Sequence, residues 1–156
     1  MNFKYINIYN NLVKLTRNKE LYNIQSNDTF SDRLTLFLFH FAFFLKVFKT
    51  NNKKNELQEI YDYVFKQIEL SIREIGYGDV TINKKMKEYI NLFHSILSKI
   101  DNWNNLNDSN KSKILTKYLP LNSNDLNLTK YFDKYDKLLS KTTLNSLIKG
   151  VIKLKI

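Results

Sequence analysis

LTLFLFHFAFFLKVF, residues 34–48, is a run of fifteen positions interrupted only by Thr35, His40 and Lys46. On a helical wheel Phe30, Leu34, Phe37, Phe41, Phe44 and Phe48 form one stripe, and Leu36, Phe39, Phe43 and Val47 form a second. Thr35, Leu38, Ala42, Lys46 and Lys49 leave a weaker, partly polar side. A membrane-spanning helix needs about 20 apolar residues, and this run stops short of that. Two accounts remain. Either this is a central core helix wrapped by the others, or part of its aromatic surface is open to a membrane or an apolar client.

The flanking sequence is helical from end to end. A first helix is predicted over 3–17, with Phe3, Ile6, Asn10, Val13 and Arg17 on one side and Tyr9, Leu12 and Leu15 nearby. Asp28 or Asn27 can cap the Phe-rich helix, over 29–49. Asn55 can cap a third, with Gln58 as the return partner. Its apolar positions Leu57, Ile60, Tyr61, Val64, Ile68, Ile72 and Ile75 follow the i, i+3, i+4 rule, and Gly76 ends it. A fourth runs over 83–101 with Met86, Ile90, Phe93, Leu97 and Ile100 inward. Trp103 to Asn110 reads as a loop, 111–119 as a short helix stopped by Pro120. Ser123 can cap a helix to about 140, and a last one spans 143–155 with Gly150 inside it. Strand-like alternation is absent. The fold class is all-α: one domain over 1–156, six to seven helices around the Phe-rich one.

Size allows such a core, since a chain of 156 residues buries roughly 70% of its unfolded surface. There is no Cys, so neither disulfides nor Cys-based zinc sites arise. The net charge of +10 tempts one toward nucleic acid, but Asn, Lys and Ile make up 58 of the 156 residues. That is the imprint of AT-rich coding DNA, so the excess of Lys over Arg is partly mutational. The scarce residues Arg17, Arg33, Ala42, Arg73, Gly76, Gly78, Trp103, Pro120 and Gly150 are then the better places to look for constraint. Charge is also uneven: +6 over residues 1–55, −2 over 56–101 and +6 over 102–156. No run of five like charges forms a basic arm.

Catalysis finds little support: there is no nucleophile elbow and no phosphate-binding glycine loop. His40 and His94 sit on apolar helices without carboxylates at metal-ligand spacing, so no metal and no cofactor is expected. The segment from Arg73 to Asp79 (REIGYGD), followed by Asn83 to Lys87 (NKKMK), says more. Glu74 falls in the last turn of one helix and Lys84 and Lys85 in the first turn of the next, each on the unfavourable end of the macrodipole. A cross-turn ion pair is the simplest repair. Retention of these charges for a partner is the other account.

At this point the chain resembles the ubiquinol-cytochrome c chaperone family. Tyr22, Asp28-Thr29, Arg33 and His40 stand at the spacing of one family pattern. Arg73, Glu74, Gly76, Gly78, Asp79, Lys85, Met86 and Lys87 reproduce its Arg-Glu-x-Gly-x-Gly-Asp turn and Lys-x-Met-Lys helix start. The likeness runs from about Leu12 to Leu97; Asp32 stands where the family commonly has a Gly before the Arg. The resemblance implies an all-helical, non-enzymatic assembly factor of respiratory complex III. Such a factor binds newly made cytochrome b until haem and partner subunits are in place. In mitochondria it works with a small helical partner near the ribosomal exit tunnel.

Arg33, His40, Arg73, Glu74, Asp79 and Lys85, with Met86 and Lys87, are then the expected client or partner surface, and Gly76 and Gly78 shape it. Residues 1–20 are basic but lack Ser and Ala, so a removable leader is not expected. The expected place is the bacterial cytoplasm at the inner face of the membrane, or else the mitochondrial matrix side. DNA is not an expected partner. Competing classes are a basic RNA- or ribosome-binding module, which needs a contiguous Lys stripe with exposed aromatics, and a lipid-surface protein.

Overall fold

The computed structural model describes residues 3–18, 21, 29–49, 53–119 and 125–150, without the side chains of 125–127. Among these residues there are seven α-helices and no strand. They are α1 (Ile6–Thr16), α2 (Phe30–Phe48), α3 (Lys54–Ile75), α4 (Asp79–Ile100), α5 (Asp108–Tyr118), α6 (Asp125–Ser140) and α7 (Leu144–Lys149). A single 3₁₀ turn, Trp103–Asn105, joins α4 to α5.

α2 is the core helix. Every residue from Leu34 to Phe44 is buried, Thr35 and His40 included. α1, α4 and α6 pack along it, α7 lies on α1, and α5 lies on α6. A helix apolar on nearly all sides is stable in water only when so enclosed. The rings interlock in pairs: Phe41 stacks on Phe93 of α4 at 5.1 Å, and Phe43 on Phe132 of α6 at 5.0 Å. Each such pair is worth about 0.5–1.5 kcal/mol beyond its buried area. Ala42, fully buried, is the one alanine of the chain. The account in which the aromatic surface faces a membrane or client therefore gives way to the core account for these positions.

Local chemistry departs from expectation at several helix ends. Thr29 caps α2, its hydroxyl accepting from the Asp32 amide at 3.1 Å; Asn27 and Asp28 lie outside the described residues. α3 begins at Lys54, so Asn55 lies inside its first turn and does not cap it, and Gln58 instead donates to Asp62 one turn on. α4 begins at Asp79 rather than 83, because the chain turns at once after Gly76. Residues 103–110 are not all loop: Trp103 is buried, and Asn107 caps α5 by accepting from the Asn110 amide. Pro120 and Ser123 fall outside the described residues. The last helix stops at Gly150, which takes φ +70° at its C-terminus, so Gly150 is a cap and not an interior residue.

Of the two groups of α1 residues, the one with Leu12 and Leu15 turns inward. Ile8, Leu12 and Leu15 are buried whereas Phe3 stays 62% exposed. Tyr5 anchors the start of that face by donating its hydroxyl to Glu59 of α3. Burial, then the Glu59 carboxylate, pushes the Tyr5 pKa up to about 12.

Candidate functional site

The hairpin between α3 and α4 carries eight of the ten candidate residues. Residues 73–80 are all exposed, and among them Ile75, Tyr77 and Val80 leave 50%, 43% and 85% of their surface uncovered. Gly76 terminates α3 with φ +106°, a left-handed conformation that strains any L side chain. Gly78 differs. Its φ of −76° suits any residue, and a Cβ built there would meet nothing within 4 Å.

The charges settle into one exposed chain. Arg73 donates from Nη1 to Asp79 at 2.7 Å and from Nη2 to Glu69 at 3.3 Å, and Lys66 reaches Glu69 at 3.0 Å. Hydrogen bonds from Lys66, then from Arg73, hold the Glu69 carboxyl below the usual range despite the opposing pull of desolvation. The Asp79 bond, then the Glu69 bond, raises the Arg73 pKa. A cross-turn ion pair does form, but with other partners than Glu74 and the lysines. Because α4 starts at Asp79, that acid sits on the positive end of its helix and Arg73 on the negative end of α3. Lys84 and Lys85 move into the second turn. There Lys85 stands 4.8 Å from the centre of the Tyr77 ring, a cation–π contact. Met86 is half-buried and Lys87 exposed.

Arg33 and His40 are placed elsewhere. Arg33 is exposed in the first turn of α2, lining a cavity of about 200 Å³ with Arg17, Phe30, Phe37 and Ser71. His40 is fully buried between α2 and α6. Its Nδ1–H donates to the Leu36 carbonyl at 2.8 Å, so its Nε2 accepts from the Tyr131 hydroxyl at 2.6 Å. Desolvation lowers its pKa to about 4, outweighing the Leu36 bond that raises it. A neutral ring locked this way orients α6 on α2. Tyr135 adds a bond to the His40 carbonyl at 3.2 Å, and Lys46 and Asp136 form a buried ion pair at 2.6 Å.

Sequence reasoning missed that polar seam. Lys46 reads as an interruption of the apolar run, Asp136 carries no signal of its own in the sequence, and their separation of ninety residues hid the pair. Trp103, singled out by scarcity, belongs to it: its indole N–H donates to Asp133 at 2.9 Å, where Lys111 also binds at 2.8 Å. A second, open groove of about 690 Å³ lies where Leu45, Leu57, Tyr61, His94 and Leu97 converge. Tyr61 and His94 share a hydrogen bond of 3.0 Å at its wall. Among the described residues no group of three or more His, Asp or Glu could hold a metal, and no helix is long and apolar enough to cross a membrane.

An enclosed aromatic core with an exposed, charge-clasped hairpin defines an all-helical fold class. The ubiquinol-cytochrome C chaperone family matches residues 23–153, and the chain belongs to that family. By family it is an assembly chaperone of respiratory complex III. The solved structure of the Cbp3 homologue from Brucella abortus superposes with a TM-score of 0.81 at 24% identity, covering 98% of this chain and 89% of that one. The two share a fold. No functionally curated protein matches the chain.

Proposed function

We propose that the chain holds newly made cytochrome b during complex III assembly, and that the α3–α4 hairpin is the surface that meets the client or a small helical partner. One observation carries the choice of surface. Eight consecutive exposed residues present Ile75, Tyr77 and Val80 to solvent, and with them a glycine, Gly78, that neither backbone nor packing requires. In a chain with three glycines, an unrequired one leaves room for another backbone to approach. Arg73, Glu74, Asp79, Lys85 and Lys87 give that surface its polar rim, with Gly76 and Met86 setting its shape. Arg33 borders the same end through the cavity it shares with Ser71, and His40 acts from within by fixing α6. An apolar stretch of the client finds a seat in the groove at Leu45, Leu57 and Leu97, since the Phe-rich face is covered. The work is done at the inner face of a bacterial membrane or the mitochondrial matrix side, close to the ribosome that makes the client.

The test is Asp79→Lys combined with Lys85→Glu. Both side chains lie at the surface, so helix content should hold and the unfolding midpoint should fall only by the modest loss of the Arg73 ion pair and the Tyr77 contact, while haem-loaded cytochrome b falls. A strain carrying the pair with normal haem-loaded cytochrome b counts decisively against the surface. Pulldown from native membranes, probed for cytochrome b and ribosomal proteins, identifies what the hairpin loses.

A further inference from the structure

The charges of α6 are sorted by face. Its described acids are taken up by other elements, Asp136 by the buried Lys46 and the half-buried Asp133 by Lys111 and Trp103. Its lysines point outward: Lys130, Lys134 and Lys137 are exposed at i, i+4 and i+7. Lys141, whose amide still bonds to the Lys137 carbonyl, continues the line past the end of the helix. That makes a straight ridge about 16 Å long. None of the four ammonium groups has an ion-pair partner among the described residues. Like charges one turn apart repel, so the arrangement is unfavourable in isolation. Codon bias explains many lysines, but it does not explain why Asp133 and Asp136 are both paired away from the lysine ridge.

The lower end of the ridge opens on a polar cleft of about 460 Å³, where Lys137 and Lys141 meet Lys111 and Ser140. Asp133 and Asp136 line it too, each neutralised by its lysine. The cleft is thus a seat of surplus positive charge, the size of a phosphate headgroup or two.

We propose that the Lys130–Lys134–Lys137–Lys141 ridge docks the chain on an anionic phospholipid surface, with a headgroup phosphate in the adjoining cleft. This rests on the reading that the chain works at a membrane face, and names the part that touches it. A bilayer fits better than RNA for two reasons. The aromatic side chains of α6, Tyr131, Phe132 and Tyr135, are buried, so no stacking platform lies between the lysines. The ridge also holds no arginine, the side chain suited to planar, bidentate readout, whereas lysine point charges suffice for headgroups.

Co-sedimentation with phosphatidylcholine vesicles, with and without about one third phosphatidylglycerol, tests it. The chain should bind the anionic vesicles at low salt, release as salt rises past about 0.15 M, and ignore pure phosphatidylcholine. Each lysine removed should weaken partition about fivefold, so Lys134→Glu with Lys137→Glu should weaken it by at least about 25-fold. Lys113→Glu with Lys117→Glu on α5, which changes net charge equally, should weaken it far less. Circular dichroism confirms that both variants keep their helices. Equal loss in the two variants overturns the ridge, reducing it to bulk charge. Absence of any binding to anionic vesicles overturns the ridge together with the membrane reading, while normal wild-type binding left untouched by the ridge variant overturns the ridge alone. Retention on RNA at about 0.15 M salt, abolished by the ridge variant while vesicle binding persists, assigns the ridge to RNA and also overturns the proposal.

Discussion

A methyl group on residue 150 would stand 2.9 Å from the Asn7 amide nitrogen, which itself donates to the Ile148 carbonyl at 3.0 Å. With φ at +70° as well, Gly150→Ala strains the backbone and dislodges the contact between α7 and α1. A loss of about 2 kcal/mol is expected in urea unfolding. Gly76→Ala meets open space and bears the backbone strain alone, about 1 kcal/mol. Gly78→Ala meets neither a positive φ nor a neighbouring atom and should lose only the weaker capping of α4, about 0.5 kcal/mol. If Gly78→Ala proves as destabilising as Gly76→Ala, the argument for an outside partner at that position collapses. His40 makes a separate prediction through pH. Its pKa falls from 6.5 to about 4 on folding, so the unfolded chain binds the extra proton between those values. Its stabilising contribution is present above pH 6.5 and is lost as pH falls toward 4. Between pH 6.5 and about 5 this should remove about 2 kcal/mol, a slope that His40→Gln should flatten. Scarcity in the sequence pointed to these glycines but could not separate them, since φ and the room around a Cβ are set by the returning chain.

At the scale of the element, the polar seam between α2 and α6 does what apolar packing does poorly: it sets register. Phe43 and Phe132 could slide past each other at small cost, but Lys46 and Asp136, both side chains 8% exposed, meet at one setting only. Asp136→Ala leaves a buried ammonium without its partner and should destabilise the chain by about 3–5 kcal/mol. Lys46→Met with Asp136→Leu removes both charges and should come within about 1 kcal/mol of wild type. Equilibrium unfolding of the single and double variants gives the coupling directly, and additive losses would show that the pair does not act as a unit. Why helices were legible and their ends were not follows from the same distinction. The apolar periodicity of α2, α3 and α4 is a property of many residues and survives any one exception. A cap is a single bond, and in this Asn-rich chain nearly every helix start offers several competitors: Thr29 is the residue that caps α2, and Asn55 falls inside the first turn of α3. Which face of α1 turns inward was not legible, because Tyr5, which aligns it, is anchored by Glu59 from a helix fifty-four residues away. The candidate residues of the hairpin could be grouped from sequence because they are contiguous; the seam went unseen because it is not.

For the molecule as a whole the open question is whether α2 ever leaves the core. A chaperone with an aromatic central helix could work by uncovering it for an apolar client, or by keeping it closed and receiving the client outside. The two differ in free energy. Exposing α2 breaks its packing with α1, α4 and α6 at once, along with the His40 and Lys46 bonds, and so approaches the cost of global unfolding. No single hairpin contact would repay that. The closed route is the one expected. The chain has no cysteine, so one introduced thiol reports unambiguously. Val80→Cys, at a site 85% exposed, should react with a maleimide at the rate of a free thiol. Ala42→Cys, at a site 0% exposed, should react slower by a factor of about 10³ or more, the penalty set by opening the fold. Urea unfolding of Ala42→Cys checks that the substitution has not itself loosened the core. Adding solubilised membranes that contain newly made client should then protect Val80→Cys and leave Ala42→Cys as slow as before. If instead the thiol at 42 becomes fast on client addition, α2 is exposed during the chaperone's work. The buried rings of Phe39, Phe41 and Phe43 would then be the client seat, and the hairpin merely the latch that releases them.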